Sequence, residues 1–545
     1  MTTPPVNTVS DLLLRLADIE GQGLYFEDTY LSWSEHVAAS RRRAAVLDQI
    51  LDAGRPRHFG VLMDNVPEFS LLAGAAALSG AVLVGLNTTR RGEALARDVA
   101  LADCQIIFTE NGRAGLLEGL DLAVPVINVD SPHWQELLAR PRVEFRPRTA
   151  EPDDLFMLIF TSGTSGDPKA VRCTHAKIAG PGVMLAQRFE ISPNDVVYMS
   201  MPMFHSNAMM ASWSVALAGG SSIALRRKFS ASQFLSDVRR FGVTYANYVG
   251  KPLSYVLATP ERPDDADNTL RVMYGNEGSA PAVAEFGRRF GTMVVDGFGS
   301  TEGGVAISAT PGAPPGALGK LPDGIAILNQ ETGKPCPTAE FDEAGRLVNA
   351  EAATGELVNT AGSGAFSGYY NNPEADAERI RDGKYWSGDL AYRDRDGFVY
   401  FAGRSSGWLR VDGENLGSAP IERILLRYDG FAQVSVYAVP DSDVGDRVMA
   451  AVVPTRDFDP DEFARFLDEQ PDLGPKQRPS LIRVCAQLPR TATFKVLTRT
   501  LSAERWTCND PVWVRGRGEC EFRLLTTELA RTFEPAQDPG ILTTG

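Results

Sequence analysis

Six cysteines in 545 residues, scattered at Cys104, Cys173, Cys336, Cys485, Cys508 and Cys520, are too few for a disulfide scaffold and lack the ligand spacing of a zinc site. Their scarcity predicts a reducing compartment. A basic excess is also missing. The net charge of −15 excludes the cationic footprint that non-specific nucleic-acid binding requires, and favours a small-molecule partner. The N-terminus, Met-Thr-Thr-Pro-Pro, has no basic segment followed by an apolar one, so no signal peptide is expected and the cytoplasm is the default. Long hydrophobic runs are nearly absent. The one candidate, 69–89, is uncharged, but its Ala and Gly content and its Ser70, Ser79 and Thr88 suit a buried helix followed by a buried strand better than a membrane span.

What is present is the material of a folded enzyme: 43% hydrophobic and 23% charged residues, in a chain too long for one ordinary core. Short β-branched or aromatic runs at 59–63, 81–86, 105–109 and 125–129 alternate with helical stretches, which is the pattern of an α/β fold. Ser10-Asp11 is expected to open an amphipathic helix carrying Leu12, Leu13 and Leu16. Ser230 with Ser232 is expected to cap another that carries Phe234, Leu235 and Val238. From 311 to 356 the composition turns to Gly, Pro and short strands, which predicts a small β-rich subdomain. Ser405-Ser406-Gly407 reads as a linker. Beyond it a small α+β domain is expected, with helices at 420–428 and 459–470 and strands at 433–440, 448–454 and 482–484. The division that follows is a large domain over 1–404, a smaller mobile one over 405–520, and a tail over 521–545 with weak periodicity.

The strongest chemical signal is Leu158-Ile159-Phe160-Thr161-Ser162-Gly163-Thr164-Ser165-Gly166-Asp167-Pro168-Lys169. An apolar strand feeds a turn dense in glycine and hydroxyls that ends in a cation, a means of presenting backbone N–H groups and a charge to polyphosphate. It is not a Walker A loop, because no Gly-Lys-Ser/Thr stands at the required spacing. No Ser-His-Asp or Cys-His constellation stands out, so no covalent enzyme nucleophile is called for.

Together with several further segments, this loop resembles the adenylate-forming superfamily of acyl-CoA synthetases, luciferases and peptide-synthetase adenylation domains. The matches recur in the family's order from residue 158 to about residue 501. In Asp296-Gly297-Phe298-Gly299-Ser300-Thr301-Glu302 the resemblance implies that the aromatic stacks on adenine, Thr301 touches the α-phosphate and Glu302 holds magnesium. Gly278-Ser279-Ala280-Pro281 matches the small-residue wall between adenine and acyl group. Asp389, in Tyr385-Trp386-Ser387-Gly388-Asp389-Leu390, matches the acceptor of both ribose hydroxyls. Arg404 is expected to touch the nucleotide, and Lys495, in Pro489-Arg490-Thr491-Ala492-Thr493-Phe494-Lys495, to reach it from the mobile domain and steady the developing negative charge. Met201-Pro202-Met203-Phe204-His205-Ser206-Asn207 looks like the segment lining the acyl tunnel, with His205 either a gate at the reacting carboxylate or a packing residue. Met209, Met210 and Trp213 read as core sooner than pocket.

Two departures from the family pattern stand out. Gly407 replaces the usual Asp or Lys pivot, which puts the usual hinge contacts in doubt while leaving rotation free. Phe494 replaces the usual Gly, a pattern similar to the very-long-chain and bile-acid branch. The resemblance thus implies an acid–thiol ligase using ATP, Mg²⁺ and coenzyme A on a long-chain fatty or steroid side-chain acid. Its rivals are a ligase that loads a carrier protein and a non-catalytic lipid carrier. Contact at the membrane periphery and a homodimer are left open.

Overall fold

The structure, a computed structural model, describes residues 7–139, 145–161, 168–310, 312–404, 408–411, 414–441, 445–491, 496–516, 519 and 521–531. These form two compact units. One holds the described residues up to Ala309 together with Ala361–Tyr385, and the other holds Thr310–Thr360, Trp386–Thr491 and the described residues from Val496 onward.

The first unit is built on two largely parallel sheets. One runs in the order Val126–Asn128, Cys104–Thr109, His58–Leu62, Val82–Gly85 and Leu155–Thr161, all parallel, with Lys169–Thr174 added antiparallel at the edge. The other runs Met293–Asp296, Val272–Asn276, Tyr245–Val249, Val196–Met199, Ser222–Leu225 and Gly23–Phe26 in parallel, and closes on antiparallel Thr29–Ser32. Strands covered on both faces carry near-continuous apolar sequence, and His58–Leu62 and Tyr245–Val249 are buried at every position.

The uncharged stretch is the helix Pro67–Ser79 followed by the strand Val82–Gly85, as its composition predicts. Pro67 opens the helix and Gly80 at φ +65° ends it, the usual asymmetry of helix termini. Every residue from Phe69 to Ser79 is buried. The helix packs against Trp33–Ile50, approaching so closely that a Cβ on Gly74 would lie 2.4 Å from Ser40 Oγ. The first helix, Val9–Leu14, buries Leu12 and Leu13, but its cap is Thr8, whose hydroxyl accepts from Asp11 N (3.0 Å). Ser10 is instead buried and donates to Ala77 O. Ser230 does stand before the helix Ala231–Phe241, but its side chain makes no capping bond.

The second unit contains a mostly antiparallel sheet in the order Ala317–Lys320, Phe398–Arg404, Lys384–Arg393, Gly355–Asn359 and Ile325–Leu328, of which Ala317–Lys320 and Ile325–Leu328 lie in the 311–356 region read as β-rich while the two long strands lie beyond it. A further sheet is centred on Gly445–Pro454, flanked by Phe431–Asp441 and Leu481–Val484. The helices Ser418–Leu425 and Pro460–Asp468 bury Ile421, Leu425, Phe463 and Leu467 in one core with Val436, Ala450 and Ile482. Arg423 ties the first of these helices to the neighbouring strands, donating to Phe401 O (3.0 Å) and Tyr392 Oη (3.2 Å). Among the described residues no helix is long and apolar enough to cross a membrane, and no group of His, Cys, Asp and Glu converges as a metal set. Cys104, Cys173, Cys336, Cys485 and Cys508 are free thiols.

Candidate active site

Open parallel sheets bind ligands beyond the carboxyl ends of their strands. Thr161 ends Leu155–Thr161, Asp296 ends Met293–Asp296, Gly278 follows Val272–Asn276, and His205 follows Val196–Met199. Four of the motifs picked out in the sequence therefore sit where the topology opens.

Thr161 is the register partner of Lys169, so the two ends of the hydroxyl-rich turn are fixed by the sheet. Ser162, Gly163, Thr164, Ser165 and Gly166 themselves lie outside the described residues. Lys169 is buried, pairs with Glu378 Oε2 (2.9 Å), and lies 5.3 Å from the ring centre of Tyr369.

Glu302 is buried, and its Oε1 accepts from Tyr369 Oη (3.1 Å) and Thr161 Oγ1 (3.4 Å). Arg379 Nε donates in turn to Tyr369 Oη (3.3 Å). Burial pushes the Glu302 carboxyl up, but its own backbone N–H, the Arg379 charge and the hydroxyls of Tyr369 and Ser300 outweigh that and hold it below the ordinary value. Beneath it Lys177, also buried, donates to Glu302 O (2.8 Å) and Arg172 O (3.3 Å). The result is a fixed, ionised carboxylate in a dry setting, which suits a hard divalent cation. Gly304 keeps this corner close, because a Cβ there would lie 2.1 Å from the Tyr385 ring.

Asp296 Oδ1 accepts from Tyr248 Oη (2.6 Å) and Gly278 N (3.0 Å). Burial raises its carboxyl to about 6, against the pull of those two bonds. Gly278 has no room for a side chain, since a Cβ would meet Tyr248 Oη at 2.9 Å. Ser279 caps the helix Ala280–Phe290, and Ala280 and Pro281 form its exposed first turn. Gly297 passes Tyr274 Oη, and Phe298 and Gly299 pair with Ile307 and Ala306. Ser300 leads into Thr301, whose hydroxyl shares a hydrogen bond with Ser206 (2.7 Å). His205 is partly buried with its ring 4.4 Å from that of Phe204, and precedes the short helix Ser206–Ala208. Met209 and Trp213 are buried in a π-helical turn, with Trp213 Nε1 donating to Ser70 Oγ (2.9 Å).

In the other unit, Asp389 and Arg404 are register partners on adjacent strands and form an ion pair at 3.4 Å. Gly407, Phe494 and Lys495 lie outside the described residues. Tyr369, Arg379, Lys177 and Tyr248 were not picked out from the sequence. Tyr369 stands 67 residues from Glu302, and no local pattern announces a partner at that distance.

Residues 20–370 match the family model of the AMP-binding enzymes, and residues 420–495 match that of the AMP-binding enzyme C-terminal domain. The chain is similar to the medium/long-chain-fatty-acid–CoA ligase FadD17 of Mycobacterium tuberculosis, at 59% identity over 514 residues, covering 94% of this chain and 99% of the relative. It is similar also to the steroid-22-oyl-CoA synthetase of Rhodococcus jostii, at 46% identity over 531 residues and 95% of each chain. In fold it matches the o-succinylbenzoate coenzyme A synthetase MenE of Bacillus subtilis, solved in complex with ATP and magnesium ion. That match has a TM-score of 0.73 at 24% identity, over 90% of this chain and 98% of that one. Two family models in tandem and relatives matched over nearly their whole length leave one conclusion: the chain belongs to the AMP-binding enzyme family.

Proposed function

We propose that the protein is an ATP-dependent acid–thiol ligase that joins a long-chain fatty or steroid side-chain carboxylic acid to coenzyme A by way of the acyl-AMP. The observation that carries this reading is the buried, ionised Glu302, held by Thr161 and Tyr369 beyond the carboxyl ends of the parallel strands. The names of the FadD17 and steroid-22-oyl-CoA relatives support the lipid acid, and the ATP and magnesium in the MenE complex support the nucleotide.

The residues fit the metal in chemistry, since a carboxylate kept ionised while buried is the kind of ligand that magnesium prefers. Magnesium, when bound, draws charge from the phosphate oxygens and makes the α-phosphorus a better electrophile. Glu302 would hold it, Tyr369 and Arg379 keep Glu302 charged, and by resemblance of motif the hydroxyl-rich turn between Thr161 and Lys169 would bind phosphate. Thr301, fixed by Ser206, orients the α-phosphate, and His205 lies along the approach of the acid. Asp296, Gly278 and Phe298 border the base. By resemblance of motif, Asp389 takes the ribose hydroxyls and Lys495 the leaving pyrophosphate. We place the enzyme in the cytoplasm, with membrane contact confined to the periphery.

Purified protein should release pyrophosphate from ATP only when a suitable acid and magnesium are supplied. Adding coenzyme A should give the matching thioester by mass spectrometry. No pyrophosphate from any member of a fatty and steroid acid panel would overturn the reading.

A further inference from the structure

Strand residues alternate between faces, and the registers Asn247↔Tyr274 and Val249↔Asn276 put these four side chains on one side of the seven-stranded sheet, opposite Tyr248. Phe189 covers this side, packing on Tyr245 and Tyr274, and Tyr245 Oη donates to Ala211 O (3.0 Å) within the π turn Met209–Trp213. π turns inside helices recur at functional sites.

One polar cluster interrupts this face. Asn207 Nδ2 donates to Tyr248 O (3.3 Å), which fixes Asn207 Oδ1 as an acceptor. The atom of Asn247 that meets Asn207 Oδ1 must then be its Nδ2, so the other amide atom of Asn247 is an acceptor too. That atom, Asn247 Oδ1, belongs to a side chain only 2% exposed and has no donor among the described residues. Asn276 Oδ1, one register pair further along the same face, has none either. A buried acceptor left unsatisfied is destabilising, and such atoms persist where something other than the protein supplies the donor. The cluster lies beside the reacting centre, because Asn207 directly follows Ser206, which shares its hydrogen bond with Thr301.

We propose that the acid activated here carries a hydroxyl close to its carboxyl group, and that Asn247 Oδ1 accepts a hydrogen bond from it, making Asn247 a specificity-determining residue. This rests on the lipid-acid ligase reading above. A hydroxyl donates where a bare methylene cannot, so the deoxy acid leaves Asn247 unpaired and is discriminated against.

The test uses the full chain with ATP, magnesium and coenzyme A, and measures kcat/KM for thioester formation on fatty acids of one chain length. These are the parent acid, acids hydroxylated on the second, third or fourth carbon, and the ω-hydroxylated acid. At least one acid hydroxylated near the carboxyl should exceed the parent by about tenfold or more, and the ω-hydroxylated acid should show no such gain. In Asn247→Val that ratio, read within the variant, should fall toward one. Thioesters formed equally well from all the acids would overturn the inference and leave the ligase reading standing. A ratio that survives Asn247→Val would overturn the assignment to Asn247. If no acid gives a thioester, both readings fall.

Discussion

At Glu302 burial works against ionisation, and a backbone N–H, a guanidinium and two hydroxyls outweigh it. The balance can be tipped from either end. In Glu302→Gln no charge remains to hold a cation. The magnesium requirement should rise and kcat/KM for ATP should drop by roughly a hundredfold, the scale of losing one charge-stabilising group. A metal titration superimposable on wild type would count against the assignment. In Arg379→Gln the carboxylate loses one of the influences that lower its pKa, so Glu302 takes up a proton at a higher pH than in wild type. The acid limb of the pH profile for pyrophosphate release should therefore move to higher pH while the alkaline limb stays. If neither limb moves, Arg379 is not what keeps Glu302 charged.

At the scale of elements, the helix Ser418–Leu425 depends on a close backbone passage. A Cβ on Gly417 would stand 2.1 Å from Ala402 O, so Gly417→Ala must push this helix off the strand Phe398–Arg404. A loss of about 1–3 kcal/mol is expected, the usual cost of overpacking, read as a lower denaturant midpoint with an unchanged slope. Arg423→Met removes two hydrogen bonds from the same junction and should cost about 2 kcal/mol, while an unshifted midpoint would mean that the junction is held otherwise. Elements of this kind were legible in the sequence wherever burial is periodic or continuous. The uncharged stretch gave its helix and strand, and the α+β order after residue 414 matched the pattern of β-branched runs and amphipathic helices. Caps were less legible, because Thr8, Ser10 and Ser230 are all good cappers by type and only the tertiary surroundings decide between them. Ser10 goes to Ala77 O across 67 residues. The same limit governs the site. Glu302 and Asp296 stand in a dense local motif, but Tyr369, Arg379, Lys177 and Tyr248 reach them from elements far off in sequence, two of them helices, and Asn247 reads in sequence as one more strand residue.

For the whole molecule, the buried histidines set the behaviour in acid. Burial is the leading cause that lowers His36 to about 3, His175 to about 4, and His58 below its ordinary value. An unfolded histidine takes up its proton near pH 6.5, so below that the unfolded chain binds protons that the native one refuses. The stability these three contribute is present above about pH 6.5 and is lost as pH falls, at up to about 1.4 kcal/mol per pH unit for each. Asp296 acts with the opposite sign. Its carboxyl is raised to about 6, so its contribution is full at low pH and is lost as pH rises from the unfolded value through 6. Between pH 6 and 5 three histidines therefore oppose one aspartate, and the denaturant midpoint of the wild type should fall. The lowered carboxyls of Asp195, Asp265 and Glu302 give up stability only further into acid, so this window separates the histidines and Asp296 from them. Asp296→Asn keeps an acceptor for Tyr248 and Gly278 but cannot titrate, so its loss between pH 6 and 5 should be steeper than that of wild type. His36→Gln should be shallower. Equal slopes for all three proteins would mean that these groups do not carry the pH dependence.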